Sequence, residues 1–210
     1  AETLEVHKNQ LVSAEVSFTR AQALRTPTLW FLMLFTALVF PVQAGISLHQ
    51  APYLIERGLT PANAALVVGT FSVSIALGSV LFGVGAQRFA RRLALFVGAV
   101  MMTVGVLMMG EIRSASLAYL AATMFGVGLG GISTMLPVAL ADFFGRANFG
   151  AIRGISLPVQ VTAQASGPLL AGILHDATGT YELGLTVFAA LSATAALVAL
   201  TMRSPRSVTR

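Results

Sequence analysis

Residues Gly78 to Arg92 read GSVLFGVGAQRFARR, and residues Gly167 to Asp176 read GPLLAGILHD. Laid over one another, Gly78, Leu81, Gly83 and Gln87 fall on Gly167, Leu170, Gly172 and Asp176, a constant offset of 89 residues (167 − 78 = 89). A motif that returns at one offset marks an internal duplication, and that settles architecture before any single element does. The first copy ends an apolar run with small residues. It then sets Arg88, Arg91 and Arg92 in a short stretch before the next apolar run opens at Leu93.

Outward from this stretch, the whole chain is apolar. Of its 210 residues 56% are hydrophobic and only 10% charged, and the mean hydropathy is +0.81. A soluble domain of this size cannot bury so much apolar surface, so the chain belongs in a lipid bilayer. The net charge of +5 does not argue for nucleic acid, because the arginines sit in short stretches between apolar runs instead of on one soluble face. There is no cysteine, which removes disulfides, thiolate metal sites and cysteine nucleophiles. No residue pattern calls for a cofactor or a metal. The chain opens on Ala1, and its polar start lacks the apolar core of a signal peptide. It is therefore expected to be a piece of a longer protein whose other part lies N-terminal.

Residues 1–27 read as a linker, with a short amphipathic helix over Arg20 to Arg25 because Thr19 and Gln22 form a capping box with Phe18 as its staple. Thr28 to His49 is long enough, at about 33 Å, to cross a hydrocarbon core of about 30 Å. On it Thr36, Phe40, Gln43, Ser47 and Gln50 share one face. His49 to Pro61 is a loop turning at Glu56, Arg57 and Gly58. Further spans follow over Ala62 to Ala86, Leu93 to Gly110, Ser116 to Leu140, Ile152 to Leu174 and Tyr181 to Met202, with Asp142 to Arg153 a second basic loop. The Leu93 span carries only Thr103 as an ordinary polar side chain and is placed at the lipid-facing periphery. In the fourth span Gly126, Gly128 and Gly131 match G-x-G-x-x-G, but a dinucleotide site needs a strand before it; mid-span glycines instead let helices approach closely. The fifth span is the most polar, with Ser156, Gln160, Thr162, Gln164 and Ser166.

The expected architecture is an all-α membrane protein of six transmembrane helices over residues 28–202, followed by a basic tail, 203–210. Six crossings leave both ends on one side. Eleven of the Lys and Arg residues fall on that side, and only Arg57 and Arg113 fall opposite. By the positive-inside bias the termini are cytoplasmic. The Gly78 and Gly167 copies then leave the membrane on opposite sides, so residues 28–110 and 117–199 form two inverted three-helix repeats, the architecture of secondary transporters.

With these motifs in place, residues 18–202 resemble the C-terminal half of a major facilitator superfamily transporter. The family's G-x-x-x-D-R-x-G-R-R signature is matched by Gly83, Arg88, Arg91 and Arg92, while Gln87 stands for its aspartate and Ala90 for its glycine. The stretches FTRAQALRTPTLWFL, APYLIERGLTPANAA, ADFFGRANFGAIRG and GPLLAGILHDATGTY look like the bacterial branch of monocarboxylate and oxalate/formate carriers. The resemblance implies a bacterial inner-membrane protein that works by alternating access on a small organic solute, with an N-terminal six-helix half as its partner. It also implies an arginine near Ser79 to hold a carboxylate. That arginine is absent, so a carboxylate stays one candidate among small solutes.

The cavity candidates are Gln43, Ser47, His49, Ser133, Gln160 and Gln164, because amides inside a membrane bind polar solutes without the cost of a buried charge. His49 also has a pKa range suited to proton relay. The gating and topology motif comprises Gly83, Gln87, Arg88, Arg91, Arg92, Asp142 and Arg146. No Asp, Glu, Lys or Arg is expected at mid-membrane depth. Two other functions use the same residues: an assembly subunit without transport, and an intramembrane serine protease built on Ser133 with His49 or His175.

Overall fold

The computed structural model describes residues 17–86 and 90–203, and every regular element among them is a helix. These are α1 (Arg20–Leu24), α2 (Pro27–Glu56), α3 (Pro61–Gly85), α4 (Arg91–Gly110), α5 (Ala115–Phe144), α6 (Phe149–Thr178) and α7 (Glu182–Thr201). Side chains with free oxygens start three of the long ones, α2, α3 and α5. Thr26, Thr60 and Ser114 accept from the backbone N–H of Leu29, Asn63 and Leu117, and Pro27 and Pro61 occupy first-turn positions where a missing N–H costs nothing.

The capping box of α1 is present, with Gln22 N donating to Thr19 Oγ1 at 3.3 Å and Thr19 N to Gln22 Oε1 at 2.8 Å. Phe18, just before this box, reaches beyond α1. Its ring meets Phe144 edge-on at 5.7 Å, its N–H donates to the Phe144 carbonyl at 2.9 Å, and Asn148 Nδ2 donates to its carbonyl at 3.0 Å. Phe18, within the stretch expected to be a linker, is thus docked where α5 turns into α6.

Several helices outrun their expected ends. α2 continues past His49 to Glu56 because two further turns bury Gln50, Tyr53 and Leu54, and Gly58, at φ 88°, makes the turn. The basic stretch Asp142 to Arg153 is mostly helical: only residues 145–148 separate α5 from α6, with Gly145 at φ 80°. Arg91 and Arg92 open α4 instead of lying in a loop. Charge along this chain reports depth in the membrane, and a helix runs through that boundary as long as its carbonyls find N–H partners.

Five helices, α2, α3, α4, α5 and α7, are long and apolar enough to cross a membrane. α6 has the length, 30 residues, but carries Arg153, Gln160, Gln164, Pro158 and Pro168 and is the exception among the six long helices. α5 packs against both α3 and α4, α4 packs on α7, and α2 packs on α6 and α7. Exchanging α2, α3 and α4 for α5, α6 and α7 maps these principal pairings onto one another. Nor is α4 bare of inner contacts: Leu95, Ala99, Met102 and Val106 are buried, and Thr103 Oγ1 donates to Ser192 Oγ of α7 at 3.0 Å.

Glycine makes these approaches possible. A Cβ at Gly78 would lie 2.2 Å from the Val127 carbonyl oxygen, and one at Gly167 2.1 Å from that of Pro41. Each repeated glycine is therefore pressed against the backbone of the first helix of the opposite triplet. On α5, Gly126 and Gly130 face α3 while Gly128 faces Gly98 of α4, so the fingerprint-like glycines serve packing.

Candidate functional site

The seam between α2 and α6 is where the bundle becomes polar. Gly45 and Gly167 bring the two backbones together, a Cβ on Gly167 falling 2.9 Å from Gly45 N. Beside this contact Gln164 Nε2 donates to Gln43 Oε1 at 2.9 Å, two half-buried amides from helices far apart in sequence. About one turn toward the start of α6, Gln160 Oε1 accepts from Arg153 Nη2 at 2.9 Å. Arg153 Nη1 is buried without a partner among the described residues.

The Arg153 side chain runs along α6 to Gln160 over a seven-residue spacing worth about 10 Å of rise, and so adds a cation to the seam. Arg153 and Gln160, seven apart, share one helix face.

Beyond the amides the seam ends in an aromatic and histidine cluster. His49 Nε2 lies 3.3 Å from the Pro168 carbonyl and Nδ1 3.3 Å from the Tyr181 hydroxyl. A carbonyl only accepts, so Nε2 donates to Pro168, while Nδ1 and the Tyr181 hydroxyl share the second contact. His175 stacks on Tyr181 at 4.2 Å, and its Nε2 lies 3.4 Å from Glu56 Oε1. Tyr181 sits just before α7, and burial pushes its hydroxyl above the ordinary phenol range, with Glu56 and Asp176 pushing the same way. It remains a hydrogen-bond donor at neutral pH. A cavity of about 20 Å³ adjoins this cluster, lined by His49, Gln50, Tyr53 and Tyr181 among others. Gln50 Oε1 is buried there without a partner among the described residues.

The remaining candidates separate. Ser47 is exposed on α2 and Ser133 exposed on α5. The face expected to run from Thr36 to Gln50 is not one environment, since Thr36 and Gln50 are buried in the bundle and Ser47 is open. Neither histidine pairs with Ser133: His49 is held by Tyr181 and Pro168, and His175 by Glu56 and Asp176. Ser79, the position without the implied arginine, donates to the Gly130 carbonyl at 3.2 Å and so helps hold α3 to α5.

Of the arginine motif, Gln87 and Arg88 lie outside the described residues. Arg91 Nε pairs with Asp142 Oδ2, so Asp142 ties the start of α4 to the end of α5 and does not pair with Arg146. Gly83 has ordinary contact distance to Thr134, and Arg92 is exposed. At the other end of the bundle Arg57 meets Glu182 at 3.1 Å and Arg113 meets Glu111 at 3.5 Å. Both arginines of that end are thus neutralised by glutamates.

Long apolar helices locked by glycines, with an amide-lined seam between α2 and α6, make up a membrane bundle. Residues 26–210 match the model of the Major Facilitator Superfamily, and the chain belongs to that family. It is 28% identical over 156 residues to monocarboxylate transporter 2 of Rattus norvegicus, covering 72% of this chain and 30% of that protein. It is 31% identical over 136 residues to monocarboxylate transporter 2 of Homo sapiens, covering 63% and 28%. The chain thus spans about three tenths of the length of these relatives. A solved peptide transporter POT in complex with alafosfalin matches with a TM-score of 0.68 at 16% identity, over 87% of this chain and 41% of that one. The same transporter in complex with sulfate matches at 0.68 over 84% and 37%. At that identity the likeness is one of fold.

Proposed function

We propose that this chain is the six-helix C-terminal half of a secondary active transporter that moves a small organic solute, a carboxylate among the candidates, by alternating access. The observation that carries this is the Gln43–Gln164 contact beside the Arg153–Gln160 contact, a line of amides and one cation along a helix too polar to face lipid on all sides. In this reading α6 also crosses the membrane, as the fifth of six spans, and turns its polar face to a central cavity. α2 and α6 supply the amides, α3 and α5 complete the wall, and α4 and α7 brace the bundle from behind.

The two triplets are read as inverted repeats. The exchangeable helix pairings and the matched carbonyl contacts of Gly78 and Gly167 support this, and an odd number of crossings per repeat turns the second copy over. Both termini are then cytoplasmic, with residues 1–27 a linker from an N-terminal six-helix half and 203–210 a basic tail, in a bacterial inner membrane. That half covers the open side of α3, where Leu66, Val73, Leu77, Val80 and Val84 are exposed.

The test is transport by the whole carrier in proteoliposomes. Gln160→Ala should weaken substrate binding about tenfold, a loss of about 1 to 2 kcal/mol, without lowering the yield of folded protein. Unchanged transport in both Gln43→Ala and Gln160→Ala would mean that these amides only pack helices, and the proposed cavity would be abandoned.

A further inference from the structure

Every carboxylate among the described residues, Glu56, Glu111, Asp142, Asp176 and Glu182, already has an arginine or histidine beside it. Arg57 holds Glu182, Arg91 holds Asp142, Arg113 holds Glu111, and His175 lies against Glu56 and Asp176. None is left for Arg153. Arg92, Arg146 and Arg203 also lack a carboxylate among the described residues but are exposed, whereas Arg153 is half-buried and its Nη1 is enclosed without a partner. An ionisable side chain kept among membrane helices without a counter-charge marks a place where that charge is met from outside the fold.

The neighbouring amides define what could meet it. A guanidinium only donates, so Gln160 turns its carbonyl oxygen to Arg153 Nη2 and keeps Nε2 free to donate. Arg153 Nη1 adds N–H groups of its own. One turn further on, Gln164 Nε2 donates to Gln43 Oε1, which leaves Gln43 Nε2 as another donor. From Arg153 to Gln43 the seam therefore presents N–H groups and one positive charge. Its complement is a group that only accepts and is negatively charged, such as the ionised head of an organic acid.

We propose that Arg153 is the charge-recognition residue of this carrier: its guanidinium, steered by Gln160, binds the anionic head of the solute. The inference rests on the reading of the α2–α6 seam as a cavity wall, and it selects the anion from the candidates left open there. Nη1 is enclosed in this conformation, so the contact forms when the first turns of α6 shift. The helix is built to allow this. Pro158, between Arg153 and Gln160, removes the N–H that would bond the Gly154 carbonyl. A Cβ at Gly150 or Gly154 would meet nothing within 4 Å, whereas one at Gly167 would strike backbone. The start of α6 is thus free of the glycine contact that fixes its middle.

The whole carrier in detergent at neutral pH can be titrated with acetate, lactate and benzoate and with the matching neutral amides, acetamide, lactamide and benzamide, and read by the rise in melting temperature. At least one acid should bind, and about tenfold or more tighter than its amide. Arg153→Gln should weaken that acid about thirtyfold and change its amide less than about twofold. Arg153→Lys, which restores the charge without the fork, should recover part of the loss. The melting temperature of unliganded Arg153→Gln should not fall, because no ion pair is broken. Binding of no acid, equal binding of acid and amide, or an acid preference that survives Arg153→Gln would each overturn the proposal. So would a fall in melting temperature with acid and amide weakened alike, since Arg153 would then only brace α6. Amides bound in preference to acids, and lost in Gln160→Ala, would overturn charge recognition and leave the cavity in place. Silence of Gln43→Ala and Gln160→Ala toward every solute would remove the cavity and this inference with it. If Arg153→Gln fails to fold, Arg153→Lys decides: acid affinity should drop severalfold with amide affinity held, and an unchanged acid affinity would overturn the proposal.

Discussion

The α3–α5 seam and the α2–α6 seam use the same device for different ends. In each, a glycine at corresponding repeat positions, Gly78 or Gly167, presses against a carbonyl of the partner helix. Beside Gly78 the neighbours are more glycine and apolar side chains, and the polar contact is Ser79 to the Gly130 carbonyl. Beside Gly167 the neighbours are Gln43, Gln164 and His49. Glycine packs both seams, while polarity is concentrated in one. Lipid explains the division, because an unsatisfied amide in hydrocarbon costs several kcal/mol and persists only where a partner, water or a solute is supplied.

The sharpest way to break this comparison is to remove the shared device. Gly78→Ala and Gly167→Ala should each cost about 3 kcal/mol, because the new methyl group meets backbone that cannot move aside. Gly69→Ala, with nothing within 4 Å of its Cβ, should be neutral or stabilising by up to about 1 kcal/mol. Reversible unfolding in mixed micelles measures all three. A silent Gly167→Ala would mean that the two copies do not pack alike.

A smaller effect separates the seams by polarity. In a double-mutant cycle with Gln43→Leu and Gln164→Leu, the coupling should be about 0.6 kcal/mol, the usual size for hydrogen bonds between membrane helices. Coupling near zero would show that each amide prefers water or solute to its neighbour, which sharpens the seam's reading as a cavity wall. Smallest of all, the exposed Arg57–Glu182 pair should couple by less than about 0.5 kcal/mol. A larger value, measured by the same unfolding cycle, would mean that this end of the bundle is a structural clasp.

Orientation can be tested on the cysteine-free background. A cysteine placed at Arg113 should react with an impermeant reagent in intact cells. Labelling only after permeabilisation would invert the proposed topology.

Much of the fold was legible because it rests on local signals. Runs of apolar residues set the long helices, and the 89-residue offset aligned Gly78 with Gly167, each of which packs against a carbonyl of another helix. The capping box at Thr19 and the packing role of the α5 glycines were likewise visible. Helix ends were read less well, because Asp142, Arg91 and Arg153 looked like loop residues when their charge marked only the membrane boundary.

What the sequence by itself determined is a membrane bundle of this family with a duplicated glycine motif and amides on α2 and α6. Only tertiary structure decided that Gln43 meets Gln164, that Arg153 reaches Gln160, that Asp142 pairs with Arg91, and that Phe18 docks on Phe144. Hydropathy and capping act between residues a few positions apart, so their record is written along the chain. These contacts join residues 51 to 126 positions apart, or depend on which way a long side chain turns, and both are set only once the helices have packed.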